Sequence, residues 1–211
     1  MARASASKPS TAKSGGGKTV LSLKIALRGV KPPIWRRLLV PAGLTLDELH
    51  DVLQLAMGWD GSHLHEFRIG SKRFGKSDPN NRQMGLAPIG NERTTHLNMV
   101  LGKVGAKAMY TYDFGDSWEH VIVVEKVLPP EPGVAYPVCV AGKLQGPPED
   151  CGGVPGYYNL LEALRDPDHE EHENLLDWVG GEFNPEAFSV DEVNQRLAPL
   201  QRWWAKTSKR P

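Results

Sequence analysis

Two cysteines in 211 residues are too few for a disulfide framework, and no apolar run approaches the roughly 20 residues that a membrane-spanning helix needs. The chain starts without an apolar segment of the kind that directs secretion, so the expected compartment is the cytoplasm, with Cys139 and Cys151 as thiols and no membrane partner. Net charge is missing as well. Lys plus Arg and Asp plus Glu stand at 25 each, which removes any global electrostatic case for nucleic acid. No internal repeat, paired Cys-x-x-Cys, His-Glu-x-x-His, helix-turn-helix pattern, zinc finger or aromatic RNA-binding motif is found. What remains is an ordinary globular composition, 40% hydrophobic and 24% charged, in a chain long enough for one sizeable core.

Charge is nevertheless unevenly placed. Residues 1–18 hold Arg3, Lys8, Lys13 and Lys18 without an acid, and their Ser, Ala, Lys and Gly cannot bury enough apolar surface to order themselves. A second basic tail, residues 199–211, carries Arg202, Lys206, Lys209 and Arg210, whereas residues 166–192 hold ten acids and no Lys or Arg. The expected organisation is a disordered basic tail over 1–18, a single domain over 19–198 and a basic tail over 199–211. Through such tails the chain would make at most weak nucleic-acid contact.

Within the domain, Thr19 to Leu27 and Ile34 to Val40 read as strands, the second exposing one of its adjacent arginines, Arg36 and Arg37, on each face. Thr45 and Glu48 form a capping box, Leu44 and Leu49 a hydrophobic staple, and Leu46, Leu49, Val52, Leu53 and Met57 one apolar stripe before Gly58 stops the helix. His63 to Ile69 returns as a strand. A polar connection from Gly70 to about Glu92 and a short helix near Thr94 to Leu101 follow. The stretch Pro129 to Gly156, rich in Pro and Gly, reads as a structured loop. Three helices close the chain: Tyr157 to Arg165; Asp168 to Val179, with Glu171 at capping-box distance; and Ser189 to Leu197, with a Ser189/Glu192 capping box. Strands first and helices last give an α+β fold: an antiparallel or mixed sheet whose long hairpin packs on the helix of the N-terminal half, followed by a C-terminal helical segment.

The hairpin is Tyr110 to Glu125. Gly115-Asp116 suits a two-residue type II′ turn, which would pair Asp113 with Trp118 and Thr111 with His120. Asp113, Trp118 and His120 would then share one face, and Tyr110, Tyr112, Glu119 and Val121 the other; one more loop residue would break this pairing.

Five motifs in order resemble the plasmid pRiA4b ORF-3-like family over about Val20 to Leu197. They are Pro33-Ile-Trp-Arg-Arg, Leu46 to Trp59, His63-Leu-His-Glu-Phe, Tyr110-Thr-Tyr-Asp-Phe-Gly-Asp-Ser-Trp-Glu-His, and Pro147-Pro-Glu-Asp-Cys-Gly-Gly with Gly156-Tyr157. The resemblance implies a compact α+β domain and a setting in plasmids and insertion elements, where some members are described as passenger proteins of TnpR type. It implies no settled reaction. Many members have more cysteine just before the Pro-Pro motif, where this chain has Lys143-Leu144-Gln145-Gly146, which argues against a cysteine-rich metal centre.

The chemistry-bearing residues leave alternatives open. His63 and His65, two apart on a strand, point to one face and with Asp113 or His120 would make a metal set; the other reading, which the missing signatures favour, has these groups hydrogen-bonded to fix the hairpin, with no cofactor. Asp113, Asp116, Glu119, Glu149 and Asp150 supply carboxylates for acid–base work or for turn geometry. Cys139 and Cys151 read as small buried hydrophobes, against a catalytic thiol that would need a nearby base, for which His120 is the candidate. Arg36 and Arg37 beside Trp35 are the nucleic-acid candidates inside the domain, against a pairing with acids. His169 and His172 belong to an acidic, solvated helix face, and Trp203-Trp204 read as packing the last helix on the body, with a partner-binding patch as the alternative. No nucleophilic Ser or Tyr in an arginine-rich setting supports a resolvase. The reading is a non-enzymatic interaction module of mobile-element origin, with a protein or ligand partner yet to be identified. Its site would draw on Arg36, His63, His65, Asp113, Asp116, Trp118, His120 and Asp150. The alternatives are a metal-dependent hydrolase using His63, His65, Asp113 and His120, and an accessory nucleic-acid-binding protein of a transposon.

Overall fold

The computed structural model describes residues 19–76 and 89–207. The tail expected over 1–18, residues 77–88 of the polar connection and residues 208–211 lie outside the described residues. Strands β1 (Val20–Leu27), β2 (Trp35–Pro41), β3 (His65–Ile69), β4 (Lys72–Gly75), β5 (Gly90–Asn91), β6 (Lys107–Tyr112), β7 (Trp118–Leu128) and β8 (Val138–Lys143) form one sheet in the order β5-β4-β3-β6-β7-β1-β2-β8. Every pairing is antiparallel except β4 with β5, so the sheet is mixed. With helices α1 (Leu46–Met57), α2 (Leu97–Val100), α3 (Gly153–Arg165), α4 (His172–Trp178) and α5 (Val190–Thr207), this is the expected α+β architecture.

Helix α1 forms as its sequence dictates. The Thr45 hydroxyl accepts the Glu48 amide at 3.2 Å, the Glu48 carboxylate accepts the Thr45 amide at 2.7 Å, and Gly58 at φ 91° ends the helix. The whole predicted stripe, Leu46, Leu49, Val52, Leu53 and Met57, is buried in one core with Leu21, Leu23 and Ile25 of β1, Leu38 and Val40 of β2, and Ile122 and Val124 of β7. Alternation along β2 turns Arg36 inward at 2% exposure and leaves Arg37 outward, paired with Glu125 at 2.6 Å.

Several local expectations are corrected. The Asp113 backbone adopts a left-handed conformation (φ 53°), its carboxylate accepts the Gly115 amide at 2.8 Å, and its carbonyl accepts the Ser117 amide at 2.6 Å. This asparaginyl-type turn lengthens the loop by one residue, so Tyr112 pairs with Trp118 and Tyr110 with His120. Tyr110, Tyr112, Trp118 and His120 therefore share the buried face, instead of the tyrosines lying opposite.

Strand β8 lies inside the stretch read as loop. The alternating Val138-Cys139-Val140-Ala141 was its signal, and it pairs Cys139 with Leu38 of β2. Helix α3 begins at Gly153, because Pro155 falls in the first turn, where its missing amide costs no hydrogen bond. Helix α4 starts only at His172, without a capping bond at Glu171: the Asp166 carboxylate instead captures the Asp168 amide at 3.0 Å in a turn. In the same region His172 leaves the solvated face it was read on and donates to the Ala163 carbonyl near the end of α3 at 2.8 Å.

Helix α5 continues through Pro199 to Thr207, past the expected end at Leu197. Val193, Leu197, Leu200 and Trp204 form one stripe against the core, and that burial outweighs the local cost of an internal proline. Trp203, beside it, is 48% exposed.

Candidate functional site

Three separate segments meet at the tip of the β6–β7 hairpin: the approach to β3 at His63, the Asp113–Ser117 turn, and the loop from Pro147 to Gly153. The loop is held from several sides. The Trp59 indole donates to the Pro147 carbonyl at 2.8 Å, the Asp60 amide donates to the Glu149 carboxylate at 2.9 Å, and the Tyr112 hydroxyl donates to the other Glu149 oxygen. The Gly152 amide donates to the Asp116 carboxylate at 3.2 Å, and a Cβ on Gly153 would stand 2.4 Å from the Asp116 carbonyl oxygen. Burial and the bond to Glu149 push the Tyr112 phenol well above its ordinary value, so it stays a donor. Asp150, at φ 57°, presents its carboxylate outward, with its Oδ1 3.1 Å from Nε2 of His63. Nδ1 of His63 lies 3.9 Å from Oδ2 of the buried Asp113.

His65 and His120 take no part in this convergence. Nε2 of His65 lies 2.8 Å from the buried Glu92 carboxylate, and its ring stacks on His50 at 3.6 Å between centroids. His50 in turn meets the Tyr110 hydroxyl through Nδ1 at 2.7 Å, and Gln54 donates to the same hydroxyl at 2.7 Å. With Gln54 filling one acceptor position, the Tyr110 proton is directed to a neutral His50, and burial beside His65 lowers that imidazole to about 3.

His120 is 1% exposed under the edge of Trp59, with Nδ1 3.1 Å from the Trp118 carbonyl. A carbonyl can only accept, so Nδ1 carries the hydrogen and the buried Nε2 is left without a hydrogen-bond partner. Burial lowers this histidine to about 4. Trp118, also buried, contributes an indole nitrogen without a partner. The four-residue set His63, His65, Asp113 and His120 thus divides into an outer pair and two inner histidines.

Arg36 serves the fold. Its guanidinium donates to the carbonyls of Ala56, Trp35 and Lys143 at 2.9, 2.9 and 3.1 Å and lies over the Phe188 ring, and burial lowers it to about 10. Helix α1 has no basic residue in its last turn, so this strand arginine supplies the cation there. Sequence reasoning missed Trp59, Tyr112, His50 and Glu92. The first two sit in motifs already noted, and only the hairpin register reveals that Tyr112 faces the loop. Glu92 lay in a stretch without periodicity, so no signal pointed to it.

Neither cysteine is poised for nucleophilic chemistry. Cys139 is buried, and burial with the nearby Asp116 and Asp150 pushes the Cys151 thiol up to about 12. Native protein at pH 8 is expected to alkylate with iodoacetamide about a thousandfold more slowly at Cys151 than an ordinary thiol does, and to react fully once unfolded in urea. Rapid labelling of Cys151 in the native state, read by peptide mass spectrometry, would show an activated thiolate instead.

Beside the loop runs a groove of about 550 Å³ whose lining includes Pro147, Asp150, Trp178, Glu182, Phe188 and Arg196. The model of the plasmid pRiA4b ORF-3-like protein family matches residues 19–192. The chain belongs to that family. The pRiA4b ORF-3-like span runs from the start of β1 into α5 and holds every residue of the hairpin–loop convergence. The chain is 40% identical over 194 residues to the uncharacterized protein y4hQ of Sinorhizobium fredii (strain NBRC 101917 / NGR234), covering 91% of this chain and 97% of that protein. The crystal structure of the protein of unknown function MM3350 from Methanosarcina mazei Go1 superposes with a TM-score of 0.74 at 38% identity, over 83% of this chain and 97% of that one. Among the described residues no helix is long and apolar enough to cross a membrane.

Proposed function

We propose that this pRiA4b ORF-3-like protein is a non-enzymatic recognition module carried by a mobile element, and that it binds a peptide segment of a partner protein in the groove beside the Pro147–Asp150 loop. The observation that carries the reading is the loop's immobilisation: bonds from Trp59, Asp60, Tyr112 and Asp116 fix it before any partner arrives. A preorganised loop loses little conformational entropy on binding, which is how a recognition surface gains affinity. The groove is lined more by polar than by apolar surface, and its aromatic Trp178 and Phe188 beside charged Glu182 and Arg196 offer a peptide segment both apolar and ionic contacts. The reading is also supported by the occupation of His50, His65, Arg36 and both cysteines in structural roles, away from any nucleophile–base pair.

The test places a photo-crosslinking benzoylphenylalanine at Trp178 or, as a control, at the distant Trp203, in the native host. Trp178 should capture one partner through one peptide, and Glu182→Arg should abolish that adduct. The same proteins captured from both positions, or an adduct indifferent to Glu182→Arg, would count against the reading.

A further inference from the structure

The convergence at the hairpin tip has a property that recognition of a peptide does not require. One donor atom from each of His63, Asp113 and Asp150 lies within 4.8 Å of the others. Among the described residues, the one basic side chain within 4 Å of the Asp113 and Asp150 carboxylates is His63, and no Lys or Arg compensates them. Asp113 is only 8% exposed, and a buried carboxylate needs a paired charge or a metal ion. The charge around it makes the deficit larger. Asp116 and Glu149 are committed to the backbone amides of Gly152 and Asp60, which carry no net charge.

Nε2 of His63 is buried from solvent and makes no hydrogen bond, although the Asp150 oxygen stands 3.1 Å away: the two face each other off the hydrogen-bonding line. A buried ring nitrogen and a carboxylate oxygen 3.1 Å apart but off the hydrogen-bonding line leave room for a cation to one side of that line, while Asp113 flanks the other ring nitrogen, Nδ1, at 3.9 Å.

We infer that His63, Asp113 and Asp150 bind a first-row divalent cation of the zinc or manganese kind at the junction of the hairpin turn and the Pro147–Gly153 loop. A tetrahedral ion with bonds of about 2.0–2.1 Å spaces its donors about 3.3 Å apart, close to the His63–Asp150 separation, and the Asp113 carboxylate, which lies nearest Nδ1 of the ring but within 4.8 Å of the other donors, turns towards Nε2 to complete the set. One imidazole nitrogen with two carboxylate oxygens suits zinc or manganese; calcium prefers six to eight oxygens, and the site offers a nitrogen. Because the Asp150 side chain is 69% exposed, the remaining coordination positions open to solvent, where water or a carboxylate or phosphate of a bound ligand would complete them. The cation would tie the three segments together.

Chelator-treated, dialysed protein titrated calorimetrically with zinc chloride and with manganese chloride tests the site. Wild type should take up one equivalent of at least one of the two ions, and its melting temperature should rise. His63→Gln and Asp150→Asn should each weaken binding at least about tenfold, and His169→Gln, a histidine outside the site, should leave it unchanged. Asparagine tolerates the left-handed backbone at position 150, so Asp150→Asn decides the matter even where His63→Gln fails to fold. Absence of stoichiometric uptake by wild type, or uptake that Asp150→Asn leaves intact, overturns the inference. Calorimetry reads the ion alone and crosslinking reads the partner, so the metal site and the recognition groove can fail independently.

Discussion

Gly156→Ala is expected to lower stability by about 3 kcal/mol, the upper end of the range for overpacking a closed site, although it adds a single methyl group. A Cβ at this position would stand 1.8 Å from the carbonyl oxygen of Cys151 and 2.8 Å from its carbonyl carbon. Both are backbone atoms, so no side-chain rotation relieves the clash. The loop itself has to move, and with it the anchors at Trp59, Asp60 and Asp116. Gly105→Ala separates this effect from the general cost of losing glycine: φ there is 81° with no neighbour within 4 Å, so only the left-handed backbone is penalised, by about 1–2 kcal/mol. Urea unfolding of both variants gives the comparison. Equal losses would mean that the first turn of α3 yields freely and that the loop is less firmly fixed than its bonds imply.

Acidification is expected to destabilise the domain through its two inner histidines, His120 and His50. Burial holds them neutral, down to about 4 and about 3, whereas in the unfolded chain each titrates near 6.5. Below about pH 6.5 the unfolded state takes up protons that the native state refuses, so unfolding becomes more favourable as pH falls; the slope ends for each group at its folded value. The loss is about 1.4 kcal/mol per pH step per histidine, or about 3 kcal/mol from His120 alone by pH 4. Carboxylates contribute with both signs: the hydrogen bond to Arg37 lowers Glu125, while burial raises Glu48 and Asp51. A difference experiment cancels them. In His120→Asn, the side-chain amide retains a donor for the Trp118 carbonyl and cannot titrate, so the stability gap to wild type should narrow by about 3 kcal/mol between pH 7 and pH 4. Parallel urea midpoints across that range would mean that His120 is protonated in the folded state.

The elements with strong local signals were legible in the sequence, and those set by long-range partners were not. Thr45, Glu48 and Gly58 mark α1 at both ends with side chains that need nothing beyond the helix itself. Strand β8 was hidden because Pro and Gly surround it and its ladder partner, β2, lies about a hundred residues earlier. The site was half legible. His63, Asp113 and Asp150 each stood out, but two-residue spacing suggested that His63 and His65 share a role, and β3 begins only at His65. His63 is therefore outside the strand alternation that would have aligned them. The hairpin failed by a single residue, because the side chain of Asp113 built a turn that Gly115 alone did not specify.

Strand β8 ends the sheet on one side, and an end strand usually invites pairing through its free main chain. Here α5 answers that invitation. Asn194 accepts from the Cys139 amide at 2.8 Å and donates to the Cys139 carbonyl at 3.0 Å, as a neighbouring strand would, and Gln201 donates to the Pro137 carbonyl at 2.9 Å. Two amide side chains thus impersonate the next strand. An extended chain arriving at this border finds the Cys139 and Pro137 main-chain positions already engaged, which disfavours recruitment of a partner there by sheet extension. The same masking makes the β8 border a poor template for edge-to-edge stacking of copies.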